Sequence, residues 1–238
     1  DSRLFEDLIT PLGYFYRWEK EKPNSVFLKQ PYGETWKTMT FAEVGRDARK
    51  MVAALQDMGL KKGDHIGIIS KNCYHWIIAD LAIMMGGYVS TPFYANLSAE
   101  QLLEVIPKSD TKAVFVGKLD HWDGIDKGIP EDMPIIKFPH YEGNAKVTRG
   151  VAWDDLLEKY EPVTENHEPN LSDMWTILFT SGTTGSPKGV IHDYENASLI
   201  IRNETLNNSL KVISDPNPRF FSFLPLNHIA ERTAVELS

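Results

Sequence analysis

From Gly63 onward the chain alternates short apolar runs with helical stretches, and that rhythm limits the fold more than any other feature. His65–Ser70 reads as a strand, Tyr74–Met85 as a helix closing at Gly86-Gly87, and Tyr88–Tyr94 as the next strand. Ser98 with Gln101 caps a helix that Pro107 cuts short. Strands follow at Lys112–Gly117 and Ile135–Phe138, and a short helix at Ala152–Tyr160. Strands joined by helical crossovers predict a parallel sheet covered by helices, with right-handed connections. The expected fold class is therefore α/β, with layered sheets of largely parallel strands and flanking helices.

Upstream of this rhythm, residues 3–18 are rich in aromatics but broken by Pro11 and Gly13. They read as a short helix followed by a second one reaching about Lys20, packed on the domain rather than on a membrane because the basic content is low. Val26–Lys29 and Trp36–Met39 alternate as a hairpin does, with a turn near Tyr32-Gly33-Glu34. Thr40 to Gly59 is the clearest helix. Thr40 and Glu43 form a capping-box pattern, and Phe41, Val44, Ala48, Met51, Val52, Leu55 and Met58 share one face.

The most informative stretch for chemistry is Trp175–His192, WTILFTSGTTGSPKGVIH. An apolar run, Trp175–Phe179, reads as a buried strand, and a second run opens at Val190. Between them lie hydroxyls at Thr180, Ser181, Thr183, Thr184 and Ser186, the glycines Gly182, Gly185 and Gly189, and one cation, Lys188. Glycine lets successive N–H groups turn toward one anion, hydroxyls add adaptable donors, and lysine supplies a compact charge. Composition alone favours a flexible linker. A linker, however, needs neither tight apolar flanks nor a lysine beside Pro187. The loop is not the Walker pattern, which requires glycine where Pro187 stands, and it is not GxGxxG. The residues themselves thus point to an anion-binding loop.

The segment TSGTTGSPKGV, Thr180 to Val190, resembles the signature loop of adenylate-forming enzymes, the superfamily of acyl-CoA synthetases, luciferases and the adenylation domains of peptide synthetases. Thr40–Gly63 and the following HIGIISKNCYHWIIADLAIMMGGYVSTPFYANLSAEQL look like the first half of a long-chain acyl-CoA synthetase. FLPLNHIAER, Phe223 to Arg232, is similar to the LPLxHxxER segment of that branch. The resemblance implies the acetyl-CoA synthetase-like fold. Residues 1–238 would form the N-terminal part of an AMP-binding domain, with 40–160 as an α/β unit and 174–238 as the phosphate-loop unit.

The family reaction joins a carboxylate to the α-phosphorus of ATP, releases pyrophosphate, and then passes the acyl group to a thiol. By the resemblance, Thr180, Ser181, Gly182, Thr183, Thr184, Gly185 and Lys188 bind the phosphates, with Thr183, Thr184 and Lys188 nearest, and Thr180 also approaches Mg2+. His228 would lie beside the carboxylate and α-phosphate and is the expected catalytic residue. ATP, Mg2+, a fatty acid and coenzyme A are the implied ligands. The resemblance leaves peripheral membrane contact and a homodimer open. Two other readings stay open: an adenylating domain that serves a carrier protein or reductase, and a non-catalytic nucleotide-binding or interaction module of the same fold. Tyr194 stands where family members often carry histidine, while Asn196 matches.

The remaining residues constrain partners. A formal charge of −8 over 238 residues opposes nucleic-acid binding and a polybasic membrane role. One cysteine, Cys73, allows no intrachain disulfide, and no apolar run is long enough to span a bilayer, so a cytoplasmic setting fits best. No histidine pair has zinc spacing, and Asp154-Asp155 and Glu131-Asp132 read as helix-start charges. Glu231 and Arg232 read as a surface pair across a helix turn. Glu195–Leu210 is an expected helix and Phe220–Leu224 an expected strand. The last residues, HIAERTAVELS, open a helix without a stop signal, which suggests a fragment that makes no acyl-CoA alone.

Overall fold

A computed structural model describes residues 8–180, 187–207, 219–229 and 231–232. Helix α1 (Pro11–Glu21) is the second of the two expected helices, the first falling largely on residues outside the described set: Pro11 occupies its first turn, and the Thr10 hydroxyl accepts from the Gly13 N–H at 3.0 Å. Proline at that position loses no helical hydrogen bond, so the apparent break is a start. Leu12 and Phe15 are buried, and Phe15 packs with Phe27 and Phe41, so this aromatic segment faces the core.

Strands β1 (Val26–Tyr32) and β2 (Thr35–Thr40) form a separate antiparallel hairpin. Gly33 turns it at φ +56°, a conformation that favours glycine. Helix α2 (Phe41–Asp57) carries the complete Thr40–Glu43 capping box and buries Val44, Ala48, Met51, Val52 and Leu55 on one face.

The remaining strands are β3 (His65–Ser70), β4 (Val89–Phe93), β5 (Thr111–Gly117), β6 (Ile135–Lys137), β7 (Val151–Ala152), β8 (Met174–Thr180) and β9 (Lys188–Asp193). They build one seven-stranded sheet in the order β7-β6-β5-β3-β4-β8-β9. Every neighbouring pair is parallel except β8 with β9. The helices are α3 (Tyr74–Met85), α4 (Ala99–Lys108), α5 (Asp123–Asp126), α6 (Trp153–Lys159) and α7 (Tyr194–Asn207).

Alternation along the strands sends Ile68 and Phe115 into one core with α1, α2, α3, α6 and α7. It sends Ile69, Val114 and Val116 into a second core with α4 and α5. Both sheet faces are therefore covered, which is why the central strands read as continuous apolar runs. Helix α3 is buried nearly all round and so shows no polar face.

Three expectations are corrected. Residues 220–224 make no ladder with any strand among the described residues; their aromatic pattern reflects side-chain contacts, with Phe221 and Phe223 stacked at 6.3 Å. Glu131 and Asp132 sit in a turn before β6, whereas Asp154 and Asp155 do open α6. Gly189 belongs to strand β9, where a Cβ would stand 3.0 Å from Ile177 Cγ2, so this glycine serves close packing and not loop turning. Helix α7 matches the expected one, with residues 208–210 outside the described set.

Candidate functional site

Strands β3 to β8 all run parallel, so Ser70, Phe93, Gly117, Lys137 and Thr180 end on one edge of the sheet. Ligands of open α/β sheets bind beyond the carboxyl ends of the strands, at the point where strand order reverses. Here β4 and β5 lie on opposite sides of β3, and the reversal falls between β3 and β5. The residues above that point are Lys71, Asn72 and Lys118. The Lys71 N–H donates to the Lys118 carbonyl at 3.4 Å, and Lys118 adopts φ +45°. The Lys118 ammonium donates to the Asn72 carbonyl at 2.6 Å, and its burial holds its pKa below the usual lysine value.

The hairpin of β8 and β9 projects from the same edge. Thr180 and Lys188 are cross-strand partners that close its neck, with the Thr180 hydroxyl donating to the Lys188 carbonyl at 3.4 Å. Both residues are exposed. The expected phosphate-loop residues Ser181, Gly182, Thr183, Thr184 and Gly185 lie outside the described residues. Their attachment points are fixed nonetheless by the antiparallel register from Met174↔Asp193 to Thr180↔Lys188.

His228 is exposed in the turn that follows Pro225, with its N–H donating to the Pro225 carbonyl at 2.9 Å. Its carbonyl accepts from the Arg232 N–H at 3.1 Å, and residues 229, 231 and 232 are helical. The expected surface pair of Glu231 and Arg232 does not exist, because both side chains are buried and each is bound elsewhere. Glu231 Oε1 accepts from the Phe223 N–H at 2.8 Å. The Arg232 guanidinium holds both oxygens of Asp80 at 2.8 and 2.7 Å and donates to Thr176 Oγ1 at 2.6 Å. It also lies 4.3 Å from the Trp175 ring. Thr176 in turn donates to the Ser90 carbonyl at 2.8 Å, and the Ser90 hydroxyl donates to Asp80 at 2.5 Å. A closed, buried ring of polar groups thus links α3, β4, β8 and residue 232.

Two of these residues were detectable in principle. Asp80 is the lone acid inside YHWIIADLAIMM, and a buried carboxylate requires a cation or several donors. Asn72 follows a strand end, the position where sheet ligands gather.

The donors at the hairpin neck fit a polyphosphate, since a hydroxyl and an ammonium stand together in the open. Among the described residues no group of three or more His, Cys, Asp or Glu side chains could hold a metal. Mg2+ characteristically takes substrate phosphates and water alongside one or two protein ligands, so a hydroxyl such as that of Thr180 is compatible with it. Among the described residues no helix is long and apolar enough to cross a membrane.

Comparison with known proteins bears on the family and the fold. The family profile described as AMP-binding enzyme matches residues 15–238. The chain is 29% identical over 244 residues to long chain acyl-CoA synthetase 2 of Arabidopsis thaliana, covering 93% of this chain and 36% of that protein. It is 27% identical over 215 residues to a long-chain-fatty-acid–CoA ligase of Rattus norvegicus, covering 83% of this chain and 31% of that one. Among solved structures, acetoacetyl-CoA synthetase from Streptomyces lividans superposes with a TM-score of 0.80 at 19% identity, over 96% of this chain and 37% of that one. The chain therefore spans about a third of the length of the relatives it matches.

Proposed function

Because the chain belongs to the AMP-binding enzyme family, we propose that it supplies the phosphate-binding part of an ATP-dependent acid–thiol ligase acting on long-chain fatty acids. In this reading residues 1–238 are the N-terminal part of the adenylation domain, with 40–160 as its α/β unit and 174–238 as its phosphate-loop unit. The observation that carries the proposal is the Thr180–Lys188 neck at the carboxyl edge of the sheet, with β3 and β4 between it and the reversal point. The long-chain relatives support the choice of acid.

The chemistry asks for positive and hydrogen-bonding groups around several clustered negative charges. A fatty-acid carboxylate oxygen bonds to the α-phosphorus of ATP as the bond to pyrophosphate breaks, leaving an acyl-adenylate. The coenzyme A thiol then takes the acyl group, releases AMP and gives up its proton. Thr183, Thr184 and Lys188 would donate to the β- and γ-phosphates, Ser181, Gly182 and Gly185 would complete the cradle, and Thr180 would help hold Mg2+. The Lys188 ammonium offsets charge building on the departing pyrophosphate. His228 steadies the reacting oxygens through a ring N–H. Mg2+, when bound, supplies Lewis-acid neutralisation of the phosphates.

The test is pyrophosphate release by the full-length protein with carboxylic acids of graded length, with and without coenzyme A. Long-chain acids are expected to give the fastest release, and coenzyme A is expected to sustain turnover. Lys188→Ala is expected to slow adenylation about a hundredfold and Thr184→Ala about tenfold, as loss of a transition-state donor does. Release that is independent of acid, or unchanged in Lys188→Ala, refutes the reading.

A further inference from the structure

We propose that Asn72 is a positioning residue whose side chain holds the segment carrying His228 against the carboxyl end of β3; this inference rests on the function proposed above. Its amide makes three contacts, all to one short segment about 150 residues further along the chain. Nδ2 donates to the Ser222 hydroxyl at 2.8 Å and to the Leu224 carbonyl at 2.7 Å, while Oδ1 accepts from the Leu226 N–H at 3.0 Å. The pattern defines the amide orientation, because the reverse would set NH2 against an N–H and oxygen against a carbonyl.

Between them these contacts fix the backbone on both sides of Pro225, and Pro225 itself accepts from the His228 N–H. Residues 220–224 have no strand to pair with among the described residues, so the asparagine provides the support that a ladder otherwise gives. The far side of the turn is held independently, by Glu231 on the Phe223 N–H and by Arg232 on Asp80. Asn72 is itself immobilised, since its own carbonyl accepts from Lys118 Nζ and it directly follows β3. On its N-terminal side, His228 thus takes its place from the centre of the sheet through the Asn72 side chain.

The residue touches the segment and not the reacting atoms, so its effect must pass through His228. In the full-length enzyme, Asn72→Ala is expected to slow ATP–pyrophosphate exchange about tenfold, in line with the cost of a misplaced catalytic group. Its KM for ATP is expected to stay within about twofold, because the hairpin neck is untouched. Asn72→Asp is expected to be at least as slow despite equal size, since a carboxylate oxygen would face the Leu224 carbonyl. The double variant Asn72→Ala/His228→Ala is expected to be no slower than His228→Ala within about twofold, the signature of two residues acting as a unit. Amide exchange adds a readout that needs no turnover: peptides over 222–229 are expected to exchange faster in Asn72→Ala, while those over 174–180 stay unchanged.

Full exchange activity in Asn72→Ala overturns the inference, as do multiplying losses in the double variant. Loosening of both peptides, or of neither, also overturns it. If His228→Ala is slow while Asn72→Ala is not, only the inference falls. If His228→Ala is fully active, the role proposed for His228 falls and the inference with it.

Discussion

Replacing Arg232 with methionine tests the buried polar ring directly. Arg232 and Asp80 have side chains 0% and 1% exposed, so neither charge has water to fall back on. Arg232→Met leaves the Asp80 carboxylate with the Ser90 hydroxyl as its remaining donor within the ring and leaves Thr176 Oγ1 without its guanidinium donor. Breaking one side of a buried pair costs about 3–5 kcal/mol, chiefly the penalty of the stranded charge. The lost stacking on Trp175 moves the value toward the upper end. Against a typical total stability of about 5–15 kcal/mol this is a large fraction. Urea denaturation followed by tryptophan fluorescence is the assay, with Trp76 and Trp175 flanking the guanidinium as local reporters. The double variant Asp80→Leu/Arg232→Met removes both charges and is expected to be at least about 2 kcal/mol more stable than Arg232→Met alone. A loss under about 1 kcal/mol in the single variant, the range of exposed pairs, would refute the buried pairing. So would strict additivity in the double.

Two further outcomes are expected. His75 is buried among Phe138, Tyr141 and Trp153, and that burial lowers its pKa from 6.5 to about 3. Between those values the unfolded chain binds a proton that the folded chain refuses, so stability is undiminished above pH 6.5 and falls as the pH drops toward 3. By pH 5 the loss amounts to about 2 kcal/mol, and His75→Gln is expected to flatten this part of the pH–stability curve; an unchanged slope contradicts the assignment. Gly67→Ala would place a Cβ 2.8 Å from Val114 Cγ1 and 2.9 Å from a Phe93 ring carbon. The overpacking is expected to lower stability by about 1–3 kcal/mol in the same urea assay, and a neutral substitution contradicts the packing of β3 between its neighbours.

The elements legible in the sequence are those determined by nearest neighbours along the chain. The capping box of α2, the Gly33 hairpin and the strand–helix rhythm from His65 to Gly117 each depend on residues within one turn or one strand. What escaped depends on partners far away. Arg232 beside Glu231 looks like a local surface pair, and only the fold brings Asp80, 152 residues away, to its guanidinium. Asn72 carries no motif, and its contacts lie 150 to 154 positions downstream. Phe220–Leu224 has the composition of a strand, but pairing needs a free sheet edge in register. The edge beyond β8 is already taken by β9. The residue types between Thr180 and Lys188 suggest an anion-binding loop, whereas the place of the β8–β9 neck at the carboxyl edge follows from strand direction, which no local pattern encodes.

The buried ring bears on how the two halves of the site stay in register. An apolar pair of similar volume often stabilises as well as or better than a buried ion pair, so stability alone gives no reason for Asp80 and Arg232. Direction does: the guanidinium meets both carboxylate oxygens and the Thr176 hydroxyl at fixed angles, and apolar packing has no such preference. Thr176 lies four residues before Thr180 on β8, about 13 Å along the strand from the neck of the phosphate loop. Arg232 lies one helical turn after His228. The ring therefore clamps the strand carrying the loop to the segment carrying the histidine. The Asp80→Leu/Arg232→Met enzyme separates the two roles, because it is expected to recover stability without recovering position. Slow pyrophosphate exchange in a variant at least about 2 kcal/mol more resistant to urea than Arg232→Met would show the clamp acting on geometry. Exchange at the parental rate would show that packing alone sets the register.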